Sequence, residues 1–291
     1  MQYTWKKNLT DPDSLKKFLE KNGVSHRMYQ SLKTNGGRIL LNAKNYAGQK
    51  LQNGDVVMVI FSDEISDPEV HASNGELRVV FEDNNWLIVD KPAGLNVVPG
   101  PANRIDTLVN RVKGHLISQH LKDLRPHVIT RLDRFTSGLV LVAKNRLANS
   151  IANQMLAKHA IFKTYIAFVS GSNLPEQGRI KEPIEKDPNS FGQRVSVAGK
   201  FADTEYEVLK RQKNWVEVLV TLHTGRTHQI RVHFAYIEHP LLGDQLYGGP
   251  MDMGISRQAL HANMIKFQDP FSGKKIALGS SLPADMKNLT S

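Results

Sequence analysis

A chain of 291 residues with 40% hydrophobic and 23% charged side chains can bury one large core, or a large core and a small one. Its net charge of +10 points to a polyanionic partner, whether RNA, DNA or an anionic membrane. Cysteine is absent, which excludes disulfides, thiolate metal sites, iron–sulfur clusters and cysteine nucleophiles.

The opening MQYTWKKNLT has no apolar core of the kind a signal sequence needs, and no stretch approaches the apolar length that spans a bilayer. A cytoplasmic protein without a membrane partner is expected. The charge is uneven. Residues 1–62 hold ten Lys/Arg against four Asp/Glu, and the remainder 28 against 24. The stretch DEISDPEVHASNGE (63–76) is acidic and poor in large apolar side chains, as a linker would be. The expected organisation is a small domain over 1–62, a linker over 63–76 and a large domain over 77–291.

In the first part, SLKKFLEKNG (14–23) and SHRMYQSLKTNG (25–36) carry apolar residues at helical spacing, namely Leu15, Phe18 and Leu19, then Met28, Tyr29 and Leu32. Ser14 and Ser25 are N-cap candidates, and Gly23 and Gly36 are stops. RILLN and GDVVMVIF are short strands around a turn. Lys16, Lys17, Lys21, Arg27, Lys33 and Arg38 fall on solvent faces, where as a group they could follow a phosphate backbone. Val24-Ser25-x-Arg27, LKTNGGRILLN and LQNGDVVMVIF together resemble the S4 RNA-binding domain over about 50 residues, although the family's Val-Asn-Gly turn is here Leu41-Asn42-Ala43.

In the second part, RVVFEDNNWLIVDKPAG has the pattern of a hairpin turning at Glu82–Asn85. TLVNRVKGHLISQHL and NRLANSIANQMLAKHA are helices, with the buried strand SGLVLVAK between them. KTYIAFVSG, TEYEVLKRQ and WVEVLVTLH are strands, and THQIRVHFAYIEH is a helix capped by Thr227. Strands close in sequence with helices inserted predict an α+β fold with a mixed, largely antiparallel sheet.

Asp133 lies between Arg131 and Arg134 and just before Thr136-Ser137-Gly138, where an apolar strand begins. A carboxylate in such a loop can stand at a cleft rim. The arginines favour its ionised form and could contact phosphates beside a substrate. From local sequence alone, a turn aspartate bonding its own backbone is the better explanation. A second cluster is LHTGRTHQIRVHF (222–234). Arg226 and Arg231 are five apart, so they do not share a helix face. Arg231 sits among Ile230, Val232 and Phe234, so it needs a buried carboxylate or phosphate, and Asp133 is the expected partner. His223, His228, His233 and His239 are spaced five, five and six apart, which is wrong for helical metal ligation. They are expected to donate hydrogen bonds or line a nucleic-acid groove. No P-loop, dinucleotide fingerprint or nucleophile elbow is present, and no second carboxylate has a distinctive setting.

Arg131-Leu132-Asp133, two variable residues and Thr136-Ser137-Gly138 resemble the signature of pseudouridine synthases of the RluA type. EDNNWLIVDKPAGLNVVPG (82–100), FKTYIAFVSG (162–171), HTGRTHQIRVHFAYIEHPLLGDQLYGG (223–249) and RQALHANMIKFQDPFSGKK (257–275) resemble further family blocks in the family's order. Two positions depart from it. Thr130 and Asn96-Val97-Val98 stand where the family often has histidine.

The resemblance implies a mixed sheet with a central catalytic cleft and an enzyme that isomerises uridine to pseudouridine in structured RNA without metal or nucleotide cofactor. It makes Asp133 the catalytic nucleophile and Arg231 its basic partner. Tyr165 becomes the tyrosine that packs on the target base and helps move the proton, and Arg131 an arginine that helps displace the nucleotide. Arg134, Arg226, His228 and Gln229 are the accompanying substrate-binding candidates. The exchange of an N1–C1′ bond for a C5–C1′ bond is redox-neutral and spends no phosphate. The carboxylate could attack sugar or uracil, or take a sugar proton. Large-subunit ribosomal RNA is the expected substrate, transfer RNA the alternative, and a monomer the default. A non-catalytic ribosome-associated binder and a base-excising glycosylase are the rival readings.

Overall fold

The computed structural model describes residues 1–101 and 103–290. Near the N-terminus, β1 (Gln2–Lys6), β2 (Arg38–Leu41), β3 (Lys44–Asn45) and β4 (Val56–Ile60) form an antiparallel sheet in the order β1-β4-β2-β3. Two helices back it. α1 (Leu15–Lys21) buries Leu15, Phe18 and Leu19, and α2 (His26–Thr34) buries Met28 and Leu32. Ser25 caps α2 by accepting the Met28 N–H, whereas Ser14 precedes α1 without a side-chain cap bond. β1 has no counterpart in the sequence reading. Its alternating side chains are only half-buried, so it carries little hydrophobic signal.

The large unit begins with the expected hairpin, β5 (Val79–Glu82) and β6 (Trp86–Lys91). α3 (Leu108–Ser118) follows, opened by a capping box in which Thr107 and Asn110 satisfy each other's backbone N–H groups. β7 (His127–Val128) and β8 (Ser137–Ala143) flank an eight-residue loop, and α4 (Arg146–Ala157) is capped by Asn145. Next come β9 (Phe162–Ser170), β10 (Gln177–Ile180), β11 (Ile184–Lys186), β12 (Gln193–Val195), β13 (Thr204–Arg211) and β14 (Trp215–Leu222). α5 (Gln229–Tyr236), β15 (Leu260–Gln268), β16 (Lys275–Gly279) and α6 (Ala284–Lys287) complete it. No helix among the described residues is long and apolar enough to cross a membrane.

The main sheet runs β10-β13-β14-β9-β15-β8-β6-β5, with β16 on β15 and β7 on β8. Every pairing is antiparallel except β15 with β8, which is parallel and only two residues long (His261 with Ser137, Ala262 with Gly138). This mixed, largely antiparallel sheet agrees with the expected fold class. β8 is buried along its whole length because both faces are covered. α3 packs on the side chains of Leu87, Val89, Val140 and Val142, and α4 on the opposite set, Trp86, Ile88, Leu139 and Leu141. The short parallel seam therefore joins two halves of the sheet, and the cleft opens beside it.

The first unit packs directly on the second. Gly23 has φ +90, and a Cβ there would stand 2.3 Å from the Ile151 side chain, so the α1–α2 turn lies directly on α4. Leu147, Ile151 and Phe271 join the small unit's core, and Tyr3 donates to Asn85 Oδ1 at 2.9 Å. Residues 63–76 form no helix or strand. They are nevertheless tied down: Asn110 donates to the His71 carbonyl, Ser73 to Asp106, and the buried Glu64 lies 2.9 Å from His127 Nε2. The segment is a fixed strap rather than a loose linker.

Gly138 makes the seam possible. Its φ is +110, and a Cβ would fall 2.3 Å from the Ala262 carbonyl oxygen. Gly138→Ala is expected to destabilise the protein by about 3 kcal/mol through left-handed strain and a backbone clash, read as a lowered urea midpoint with unchanged slope.

Candidate active site

The β7–β8 loop is pinned at its root. Ile129 N–H donates to the Leu141 carbonyl at 2.9 Å, and Thr130 Oγ1 accepts the Leu141 N–H at 2.8 Å. The Thr136 N–H closes a turn on the Asp133 carbonyl. From beneath, the end of β6 supplies Lys91. Its Nζ is buried and donates to the carbonyls of Pro92 (2.9 Å), Leu95 (2.9 Å) and Arg134 (3.0 Å), while Gly94 N–H also donates to Arg134 O. With the loop held at Thr130 on one side and Arg134 on the other, the Asp133 side chain reaches α5.

There Arg231 receives it. Arg231 Nη1 donates to Asp133 Oδ2 at 3.1 Å, while Nε and Nη2 make a bidentate pair with Asp244 at 2.7 and 2.8 Å. The Arg231 side chain is 8% exposed, that of Asp244 1% and that of Asp133 25%. Burial works against the charge on Arg231, but the hydrogen bonds and charge of Asp244, and then those of Asp133, outweigh it and raise the guanidinium pKa. Asp133 is therefore the solvent-facing end of a three-member ionic chain.

Tyr165, on β9, lines the same cleft. Burial, and secondarily the charge of Asp133, push its phenol well above the ordinary tyrosine range, so it is neutral at physiological pH. The cleft has a volume of about 790 Å³, within the range of small-molecule sites. Arg131, Arg134 and Arg226 stand at its rim with exposed side chains. Arg226 Nε donates to the Phe201 carbonyl and Arg134 Nε to that of Gly94, and the Arg134 guanidinium lies 5.0 Å from the Phe135 ring centroid.

A family model described as RNA pseudouridylate synthase matches residues 85–236, a span that contains Asp133, Tyr165 and Arg231. The chain belongs to the RNA pseudouridylate synthase family. An RNA pseudouridine synthase of Bacillus subtilis (strain 168) is 37% identical over 266 residues, covering 90% of this chain and 84% of the relative. The ribosomal large subunit pseudouridine synthase D of Yersinia pestis is 34% identical over 268 residues, covering 87% of this chain and 82% of that protein. The solved human RNA pseudouridylate synthase domain containing 1 aligns over 75% of this chain and 89% of its own, with a TM-score of 0.61 at 21% identity, a likeness of fold. The enzyme is thus an RNA pseudouridine synthase, an isomerase acting on RNA.

Several sequence expectations change in three dimensions. Gln229 has no polar atom left for substrate. Its Oε1 accepts from Thr224 Oγ1 and the Arg226 N–H, and its Nε2 donates to Asp203 O and Thr204 Oγ1, so it braces the 224–226 loop. Thr227 does not cap α5, which starts at Gln229 behind His228. The four histidines separate: His223 pairs with Glu205 at the cleft's edge, His233 is buried between Thr204 and Glu182, His239 bonds Ser170, and His228 enters the cleft within 3.8 Å of Asp133 Oδ2. Lys16, Lys17, Arg27, Lys33 and Arg38 are all exposed, on the N-terminal unit and outside the cleft lining.

The enzyme also uses residues that the sequence did not single out. A buried arginine signals a need for carboxylates, but the larger share of that need is met by Asp244, in a turn 13 residues further on. Lys91, in the Lys-Pro-Ala-Gly block, looks in sequence like an ordinary surface lysine.

Burial pushes the Lys91 ammonium down to about 7, opposed by the charge of Asp133. Below about pH 7 the folded and unfolded chains both hold this proton; between there and the ordinary lysine value of 10.5 only the unfolded chain does. Raising the pH through that window therefore favours the folded state. The stability of the wild type relative to Lys91→Met is expected to climb from pH 7 to 10.5, and urea unfolding of both proteins across that range measures it.

Proposed function

We propose that Asp133 is the reacting carboxylate, that Arg231 orients it, and that Tyr165 carries the extruded uracil. The observation that supports this reading best is the 3.1 Å contact from Arg231 Nη1 to Asp133 Oδ2 on the wall of the cleft that Tyr165 also lines. A uridine flipped from an RNA stack costs a few kcal/mol, which contacts from Arg131 and Arg134 to flanking phosphates and stacking on Tyr165 offset. The carboxylate then acts at the ribose or at the base while N1–C1′ breaks. The freed uracil turns within the cleft, and C5 joins C1′. A phenol held neutral by burial can exchange hydrogen bonds with the rotating base without adding charge beside Asp133.

The proposed substrate is large-subunit ribosomal RNA, because relatives at 34–37% identity carry that specificity in their names. The proposed role of residues 1–62 is that of an S4-like RNA-binding domain. Two helices on a small sheet, with Lys16, Lys17, Arg27, Lys33 and Arg38 exposed, support it.

Asp133→Asn is expected to leave a folded protein that binds ribosomal RNA with wild-type affinity and releases no tritium from [5-³H]uridine-labelled transcript. Turnover above about a thousandth of the wild-type rate would overturn the role of Asp133. The triple variant Lys16→Glu, Lys17→Glu, Arg27→Glu is expected to bind a large-subunit RNA fragment at least about tenfold more weakly. Its log–log salt dependence should be shallower by up to about 3 units. Filter binding from 50 to 200 mM salt decides it, and an unchanged slope counts against the N-terminal role.

A further inference from the structure

His228 takes a left-handed backbone (φ 54, ψ 19) where α5 begins, a conformation that glycine adopts freely and other residues only with strain. The helix cap gains nothing from it, since the His228 side chain makes no capping bond. The conformation instead directs the imidazole into the cleft, edge-on to Tyr247 with ring centroids 5.8 Å apart.

The surrounding groups favour one tautomer of the ring. His228 Nδ1 lies 3.0 Å from Tyr247 Oη, and that oxygen already accepts the Gln193 backbone N–H at 2.7 Å. A phenol has one proton to give. Burial holds the Tyr247 pKa up at about 12, so the proton stays in place, and Nδ1 is the acceptor it meets. Nδ1 is the acceptor within reach of that hydroxyl, which favours the neutral ring with its hydrogen on Nε2. Burial lowers the imidazole pKa despite the charges of Asp133 and Asp244, with Arg231 adding to the decrease, so the ring is neutral near pH 7.

Nε2 faces Asp133 Oδ2 at 3.8 Å, too far for a hydrogen bond, and Arg231 already serves that oxygen. Among the described residues the Nε2–H has no hydrogen-bond acceptor, although the side chain is only 18% exposed. It is a half-buried donor, locked in tautomer and orientation, pointing at the space directly over the carboxylate.

We infer that His228 donates its Nε2–H to an oxygen of the uridine bound over Asp133, and that Tyr247 is the positioning residue that holds the ring in that tautomer. The inference rests on the reading of Asp133 as the reacting carboxylate. A donor fixed before the substrate arrives stabilises charge developing on a sugar or base oxygen without reorganisation.

Amide substitutions separate the two ring nitrogens, because a glutamine amide reaches the Nε2 position and an asparagine amide only the Nδ1 position. His228→Gly relieves the left-handed strain, so it is expected to fold and to melt at or near the wild-type temperature. Its single-turnover tritium release should fall about 10²-fold while RNA affinity stays within about twofold. His228→Asn should fall alike, whereas His228→Gln should keep the rate within about tenfold of wild type. Tyr247→Phe, which removes one hydroxyl, should slow the chemical step about tenfold without changing Kd. Wild-type rates in His228→Gly or His228→Asn, or a glutamine variant as slow as the glycine one, overturn the inference. Asp133→Asn measured alongside separates the two readings. If it is inactive while the His228 variants are fully active, only the role of His228 is lost; if it is active, the reading of the site is lost with it.

Discussion

The site depends on how one buried guanidinium is divided. Arg231 spends its Nε and Nη2 on Asp244, a carboxylate with almost no exposed surface, and only Nη1 on Asp133. The bidentate pair fixes the plane of the guanidinium, so the direction of Nη1, and with it the position of the Asp133 carboxylate, is set before any RNA arrives. A cation buried this deeply could not stay with a single partial partner, because removing one member of a buried pair leaves an uncompensated charge costing about 3–5 kcal/mol. Asp244 meets most of that demand. Asp133 is left with one hydrogen bond to Arg231 and an edge facing the cleft.

The rest of the large unit brings these groups together. Asp133 and Arg231 are 98 residues apart in the chain, and they meet because the β7–β8 loop and α5 converge where the two halves of the sheet join. That join is only two residue pairs long and tolerates no side chain at position 138. Lys91 supports the loop from the opposite side by gathering the carbonyl oxygens of Pro92, Leu95 and Arg134 at one buried ammonium. Both devices act on backbone. They hold the carboxylate in place without occupying the cleft that it faces.

The N-terminal unit adds a constraint of a different kind. Its core is continuous with Leu147 and Ile151 of α4, and the C-terminal end of that helix, Leu156 and Ala157, lines the cleft. The strap over residues 63–76 adds side-chain and backbone bonds to α3 and the loop before it. The α1–α2 unit and the cleft that holds Asp133 thus share α4 as a common support. An RNA held there would present its uridine in a limited set of positions.

Much of this was legible in the order of residues. Period-3.6 patterns located α1 through α5, the continuous apolar run located β8, and the turn-prone Glu82–Asn85 located the β5–β6 hairpin, because each follows from contacts a few residues apart. The setting of Asp133 between arginines, ahead of an apolar strand, marked it as unusual. The strands β1, β3, β7, β10, β11, β12, β15 and β16 were not visible. β15 reads LHANMIKFQ, with histidine, asparagine and lysine among its apolar residues, and it is a strand because β9 and β8, about a hundred residues or more away in the chain, flank it while β16 returns along it. Local sequence determined which segments could be helix or strand, and which side chains were available for chemistry. The tertiary structure alone decided that Asp244 shares Arg231, that Lys91 lies beneath the loop, that Gln229 is a brace, and that His228 is the histidine facing the carboxylate. Those outcomes depend on strand register and burial between distant segments, and no short stretch of chain specifies either one.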